Sequence, residues 1–210
     1  IRQIHVRNWR AANPRAYDWC AAGRRIEDAV WKQSLHDEVA IAGGEVACTT
    51  LFDLRKAFET VSLHLAWRAG PAYGFPMHIL RLVLELFSFD RTLTFAGVAA
   101  DVVSSLSAIL AGSRFATDII YLVLLRPCDK ICEICPETTI ALVVDDMTLQ
   151  TIGSPFGAPT ESARAAEVAI HLFEDEMGMA FSRGKDGKTV AAATAAGPRK
   201  KLATLLKKNG

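Results

Sequence analysis

The sequence predicts an α+β fold, an antiparallel sheet backed by helices, and three observations carry that prediction. Residues 46–52 and 139–144 are short, near-continuous apolar and β-branched runs, the pattern of buried strands. Around them, apolar residues recur at helical spacing over 26–39, 63–69, 76–87, 115–125 and 159–177. Half of the 210 residues are hydrophobic and 22% are charged, which is enough apolar material for a sizeable core in a chain of one domain's length.

Residues 1–25 are rich in arginine and aromatic side chains and give no periodic signal. Ile26, Ala29, Val30 and Trp31 supply the apolar stripe of the helix over 26–39, and Gly43-Gly44 breaks it. The strand 46–52 runs into Asp53. A short helix over 63–69 is closed by Gly70-Pro71, and Pro76 opens the next, since proline suits the first helical turn. Residues 92–103 hold β-type residues around Gly97 and read as a hairpin. Residues 115–125 are solidly apolar and helical. The strand 139–144 ends in Asp145 and Asp146. Pro159 starts a long amphipathic helix with Ala166, Ile170, Phe173 and Met177 on one face, and Gly178 stops it. A strand over 188–193 and a Lys-rich tail, read as a solvated end, finish the chain.

Twenty-four Lys and Arg against 23 Asp and Glu exclude a uniformly basic nucleic-acid coat, but the charge is unevenly placed. Residues 1–35 carry seven basic and three acidic side chains, residues 36–180 nine and 19, and residues 181–210 eight and one. Basic ends around an acidic middle suit a polyanion held about a metal-collecting centre. Five cysteines, an odd count in a chain too long to need disulfide staples, predict a reducing, intracellular setting. The longest apolar run, 119–125, falls short of the ~20 residues that span a bilayer, so no membrane partner is expected. The chain begins with Ile, without a leader pattern, and reads as a piece of a longer protein.

Carboxylates at the ends of apolar strands are costly unless they are paired or bound to a cation. If the two strands are neighbours, Asp53, Asp145 and Asp146 converge, and a divalent ion would keep them ionised. Mg²⁺ is the natural candidate, with Mn²⁺ as an alternative, because it takes a few carboxylates plus substrate phosphates. Two such ions can bracket an in-line phosphoryl displacement.

The motifs around these acids extend the reading. Asp53 begins Asp-Leu-Arg-Lys-Ala-Phe-Glu, and 92 residues later comes Leu-Val-Val-Asp-Asp. Ala111-Gly112-Ser113 lies between them, Lys188-Thr189 after them, and Gly23-Arg24-Arg25-Ile26-Glu27-Asp28-Ala29 before them. In that order they resemble the palm of reverse transcriptases, most closely those of non-LTR retrotransposons and group II introns or retrons, over about residues 20–193. Val143 stands where that family has an aromatic residue, and Glu59 where it has Asp. The resemblance implies a polymerase palm over 46–195, a partial fingers region over 1–45, a basic tail over 196–210 and no thumb.

The same resemblance implies roles. Asp53, Asp145 and the Leu54 carbonyl would bind two metal ions, with Asp146 shaping the site near the primer 3′ hydroxyl. Phe58 would exclude a 2′-hydroxyl, or else be a core phenylalanine. Gly112 and Ser113 would let backbone approach nucleotide or template. Arg24 and Arg25 would hold phosphates, and Lys188, with Lys185 as rival, would protonate the departing pyrophosphate. An RNA template, a DNA primer, deoxynucleoside triphosphates, and thumb and endonuclease domains of a longer protein are the implied partners, with a nuclear setting for a eukaryotic retroelement. The alternative is an inactive remnant with weak nucleic-acid binding. A receiver domain has its acids in the opposite order, and a signalling cyclase needs another turn motif. Cys128, Cys132 and Cys135 lack a fourth zinc ligand nearby and read as small buried residues in a helix-to-strand connection.

Overall fold

The computed structural model describes residues 2–104, 107–110, 112–184 and 187–208. Two compact units divide the chain, one of residues 1–13 and 56–124, the other of residues 14–55 and 125–210.

The first unit is helical. Helix α1 (Arg2–Ala12) occupies the segment that gave no periodic signal. It is fixed by particular contacts: the Trp9 indole donates to the Tyr73 carbonyl at 2.8 Å and meets the Phe75 ring at 4.7 Å, and Arg10 lies 4.3 Å over the Tyr121 ring. In the second unit, helix α2 (Ile26–Ala42) is followed by strand β1 (Val46–Phe52). The chain then returns to the first unit with the single turn α3 (Ala57–Thr60) and helix α4 (Leu63–Ala72). Gly70-Pro71 does not close α4, which runs one turn-fraction further. Gly70 is buried where α5 (Met77–Ser88) comes close; a Cβ there would lie 2.5 Å from Leu80 Cδ2. The glycine thus serves helix contact and not helix termination. Strands β2 (Thr94–Phe95) and β3 (Val98–Ala99) form the expected hairpin, shorter than its sequence window, with positive φ at Ala96 and Gly97.

Helix α6 (Ala116–Ile134) overruns its expected end at 125 and continues through Pro127. An interior proline removes one helical hydrogen bond and costs about 3 kcal/mol. Complete burial of Leu124, Leu125, Cys128 and Ile131 offsets that loss. Only Cys135 lies in the expected helix-to-strand connection; Cys128 and Cys132 lie on α6, and Cys132 is exposed, not buried. All three are free thiols whose ionisation burial disfavours.

The second unit holds the sheet, formed by β1, β4 (Thr138–Val143), β5 (Asp146–Gly153) and β6 (Val190–Ala193). Its order is β4-β5-β1-β6, antiparallel throughout. Strand β5 has no counterpart in the sequence reading, because the Val144-Asp145 turn that leads into it has no Gly or Asn to mark it. As a result the strands ending at Asp53 and before Asp145 are not neighbours, as the reading required; β5 lies between them. Residues 17–19 line the free edge of β4, where the Leu142 N–H donates to the Tyr17 carbonyl and the Trp19 N–H to the Leu142 carbonyl. Arg15 holds Asp129 through two hydrogen bonds, and the Tyr17 hydroxyl donates to the same carboxylate.

The two sheet faces differ in chemistry. Thr49 and Gln150, opposite one another, turn towards α2, where Gln150 bonds the His36 ring, the Asp37 carboxylate and the Gln33 carbonyl. Helix α2 consequently presents its polar side to the sheet. Ile26, Val30 and Trp31, the expected core stripe, are exposed, as are Leu35 and Val39; only Ala40 is fully buried. The other face, with Val46 and Cys48, packs on α7 (Ala158–Ile170) and α8 (Ala196–Lys208). Helix α7 stops short of 177. A π-helical turn, His171–Glu176, takes over until Gly178, at φ +70°, ends it. The Lys-rich tail is a helix and not a solvated end: Leu202 is buried with Val46, Cys48, Ala158 and Ala163.

Leu202→Ala should lower unfolding stability by about 2–5 kcal/mol, the usual loss for a buried leucine. A urea titration checks this, and an unchanged midpoint would show that α8 contributes nothing to the core.

Candidate active site

Strand register assembles the site. Strand β1 pairs Phe52 with Met147 of β5 and Leu51 with Val190 of β6, while β4 pairs Val143 with Asp146. The ladders stop there: Asp53 follows Phe52 at the end of β5 where Asp146 lies, and on its other side its backbone pairs with Ser182. Val143, Asp146 and Asp53 thus gather at one end of the sheet, and Lys188 reaches Asp53 through its side chain. The Lys188 Nζ lies 3.9 Å from Asp53 Oδ1, a loose and largely exposed pair.

The backbone of Asp53 is held from one side by a short segment beyond α7. The Ser182 N–H donates to the Asp53 carbonyl at 2.8 Å, and the Arg55 N–H donates to the Ala180 carbonyl at 2.8 Å. These bonds flank a bridge between Leu54 and Phe181 and leave the Leu54 carbonyl outside the ladder. The Leu54 side chain is buried, and Phe181 stacks between Phe52 and Phe173. Ser182 also accepts from the Thr189 and Lys188 N–H groups, and the Asp53 N–H donates to Thr189 Oγ1 at 3.3 Å. Ser182 and Thr189 thus tie Asp53 to Lys188. Sequence reasoning gave them no such role, because the tie depends on backbone pairing between segments far apart in the chain.

Asp145 sits in the two-residue turn Val144-Asp145 between β4 and β5. Val144 has φ +59°, whereas Asp145 stays outside the positive region, the pattern of a hairpin turn that normally begins with glycine. A β-branched residue there costs about 1–2 kcal/mol. Asp145 is half-buried, and burial pushes its carboxyl above the ordinary range, with Asp146 and Asp53 pushing the same way and a backbone hydrogen bond opposing them. Asp146 and Asp53 therefore both lie within electrostatic reach of Asp145.

Among the described residues no three carboxylate, imidazole or thiol groups form a ready-made metal cage. Mg²⁺ does not need one, since it retains waters and takes one or two carboxylates with substrate phosphates. Asp53, Asp145, Asp146 and the Leu54 carbonyl are all-oxygen donors of the right kind. The repulsion that raises Asp145 is the repulsion a cation would relieve.

The remaining expected residues lie elsewhere. Arg24 directs its Nη1 to the carbonyls of Arg15, Ala16 and Asp18, holding the segment before α2. Arg25 pairs with Asp28 on the exposed first turn of α2. Phe58, half-buried on α3, and Gly112 and Ser113 belong to the first unit. Gly112 has φ +83°, and Ser113 opens α6, its carbonyl accepting from the Ala116 N–H and its hydroxyl from the Phe115 N–H. Ala111 and Lys185 lie outside the described residues.

Because burial and like charge raise the folded-state pKa of Asp145, the unfolded chain ionises it first. Wild type should therefore lose stability relative to Asp145→Asn as pH rises through the carboxylate range, about 4, and the gap should level off above the raised pKa. Denaturation at a series of pH values without divalent ions checks this; a gap that widens towards acid would reverse the sign and refute it.

No family model matches this chain, and no curated protein matches it. Among solved structures it is similar to telomerase from Candida tropicalis in complex with a TWJ fragment of telomeric RNA, at TM-score 0.65 and 11% identity, covering 91% of this chain and 33% of that one. Telomerase from Candida albicans, likewise in complex with a TWJ fragment, gives 0.63 and 10% identity, covering 90% and 34%. Apo telomerase from Candida tropicalis, truncated from its C-terminal domain, gives 0.51 and 10%, covering 91% and 39%. The chain spans about a third of the length of the telomerase chains it matches. At such identity the likeness concerns the fold alone, and the fold is reverse-transcriptase-like, with a palm-like antiparallel sheet backed by helices.

Proposed function

We propose that this chain carries the palm of an RNA-directed DNA polymerase of a retroelement, of non-LTR or group II intron type, extending a primer by two-metal nucleotidyl transfer. The observation that carries this reading is the gathering of Asp53, Asp146 and the Lys188 side chain at one end of the sheet, with Asp145 in the adjoining turn. An acidic group beside a cation on a rigid strand end suits phosphoryl transfer, where catalysis is mostly positioning and charge stabilisation.

In this mechanism Asp53 and Asp145, with the Leu54 carbonyl, would hold the divalent ions, which would supply Lewis-acid activation of the primer hydroxyl and charge stabilisation at the leaving oxygen. Asp146, exposed beside Asp53, sets the field at the attacking hydroxyl. Lys188, exposed and only loosely paired, donates a proton to the departing pyrophosphate from Nζ. Thr189 and Ser182 keep the backbone of Asp53 and Lys188 in register. Phe58, Gly112, Ser113, Arg24 and Arg25 enter only through the resemblance to reverse transcriptases, as do RNA template, DNA primer and deoxynucleotides. The second reading, an inactive remnant that retains the fold, is favoured by Val143, paired with Asp146, at the family's aromatic position.

A thermal melt with and without Mg²⁺ or Mn²⁺, run beside primer extension on an RNA template, separates the two. Metal at tenfold excess over its Kd should stabilise wild type by about 1.4 kcal/mol, and Asp53→Asn with Asp145→Asn should erase that gain. Lys188→Ala should keep the metal shift and slow extension by roughly 100-fold. A melt indifferent to metal would sink the polymerase reading and leave the remnant.

A further inference from the structure

We propose a second binding site, on the opposite face of the catalytic strands, for a small, flat, mostly apolar anion that carries one hydrogen-bonding atom at its far end. A cavity of about 380 Å³ opens between the α7–α8 face of the sheet and those helices, within the second unit. That is within the range of pockets that hold drug-sized molecules. Its walls are apolar: Phe52 of β1, Ile170 of α7, Val190 of β6 and Leu206 of α8. Thr189, whose hydroxyl accepts from the Asp53 N–H, also lines it, but Thr50 and Lys207, on which the proposal rests, have no part in the polymerase reading.

Two observations give the cavity a ligand chemistry. The first is Thr50. It lines the cavity and is 2% exposed, yet its hydroxyl is buried with no hydrogen-bond partner among the described residues. A buried hydroxyl left unpaired keeps the cost of its desolvation, so Thr50 places on the cavity wall a polar atom that the fold itself does not use. A ligand atom reaching the cavity lining would supply its partner. The second is charge. Lys207 lines the same cavity, is exposed, and has no ion-pair partner among the described residues; Arg183 also lines it and is paired with Glu174. Among the described residues no acid lines the cavity. An anionic head at Lys207, an apolar body along Phe52 and Ile170, and a hydroxyl or carbonyl at Thr50 would satisfy every polar feature. The Phe52 ring favours a flat aromatic body, which can stack or meet it edge-on.

Naphthalene derivatives test this with the chain as it stands. Fluorescence titration compares 6-hydroxy-2-naphthoate, which has both polar ends, with 2-naphthoate, which lacks the hydroxyl, and 2-naphthol, which lacks the carboxylate. The first should bind saturably and each of the others about tenfold more weakly, the loss of one hydrogen bond or ion contact. Thr50→Val should remove the advantage of hydroxynaphthoate over naphthoate and at the same time raise the ligand-free melting temperature, a pairing of effects that a purely structural threonine would not produce. Lys207→Glu should weaken both carboxylates and leave 2-naphthol unchanged. Ala191→Phe, which fills the cavity from β6, should abolish binding of all three. If wild type shows no saturable binding, or if Thr50→Val and Lys207→Glu leave the three affinities in their original order and spacing, the site does not exist. Because neither variant touches Asp53, Asp145 or Lys188, metal binding and extension report on the polymerase reading separately.

Discussion

The placement of the acids depends on the register of β1. Residues 46–50 and 52 of that strand are buried, with one set of side chains turned to α7 and α8 and the other to α2. A one-residue slip would move Val46, Cys48 and Phe52 to the polar α2 face and Thr49 into the apolar one, so the core forbids it. The same register places Asp53 at the end of β5 where Asp146 lies, and within reach of Lys188. Precision at the site is inherited from packing elsewhere in the strand.

Unfavourable terms concentrate where that register ends. Val144 adopts a left-handed backbone in a turn suited to glycine, and Asp145, next to it, is half-buried among like charges. Both costs fall on a two-residue turn, and both are tolerated because β4 and β5 on either side are fully paired. Strain and charge crowding on a rigid support are what a cation-dependent site requires, since a flexible turn would relax and let the carboxylates separate.

The sheet uses its two faces differently. Towards α2 it is polar, with Gln150 at the centre of a hydrogen-bonded group that includes His36 and Asp37; burial raises the Asp37 carboxyl, while Gln150 and His36 act to lower it. This is why α2 turns its apolar residues outward, against the usual rule for a helix on a sheet. Towards α7 and α8 the sheet is mostly apolar; the Thr138 and Thr151 hydroxyls bond each other there, and the Thr50 hydroxyl has no partner among the described residues.

What the sequence determined by itself is whatever short-range chemistry dictates. The apolar run 46–52 could only be a buried strand, Pro76 and Gly178 bounded their helices, and the order of Asp53, Gly112, Asp145-Asp146 and Lys188 was enough to indicate a reverse-transcriptase-like palm. Tertiary structure decided what local chemistry leaves open. Helix α6 passes Pro127, and α4 passes Gly70-Pro71, because burial and close helix contact outweigh a breaker's local cost. Strand β5, entered through a turn that lacks glycine and asparagine, exists because β1 and β4 both pair with it, and it separates the two strands that the sequence had set side by side. The orientation of α2 follows from the polarity of a sheet face assembled from residues about 100 apart in the chain. Periodicity shows that a helix has two faces; only the surface it meets decides which one turns inward.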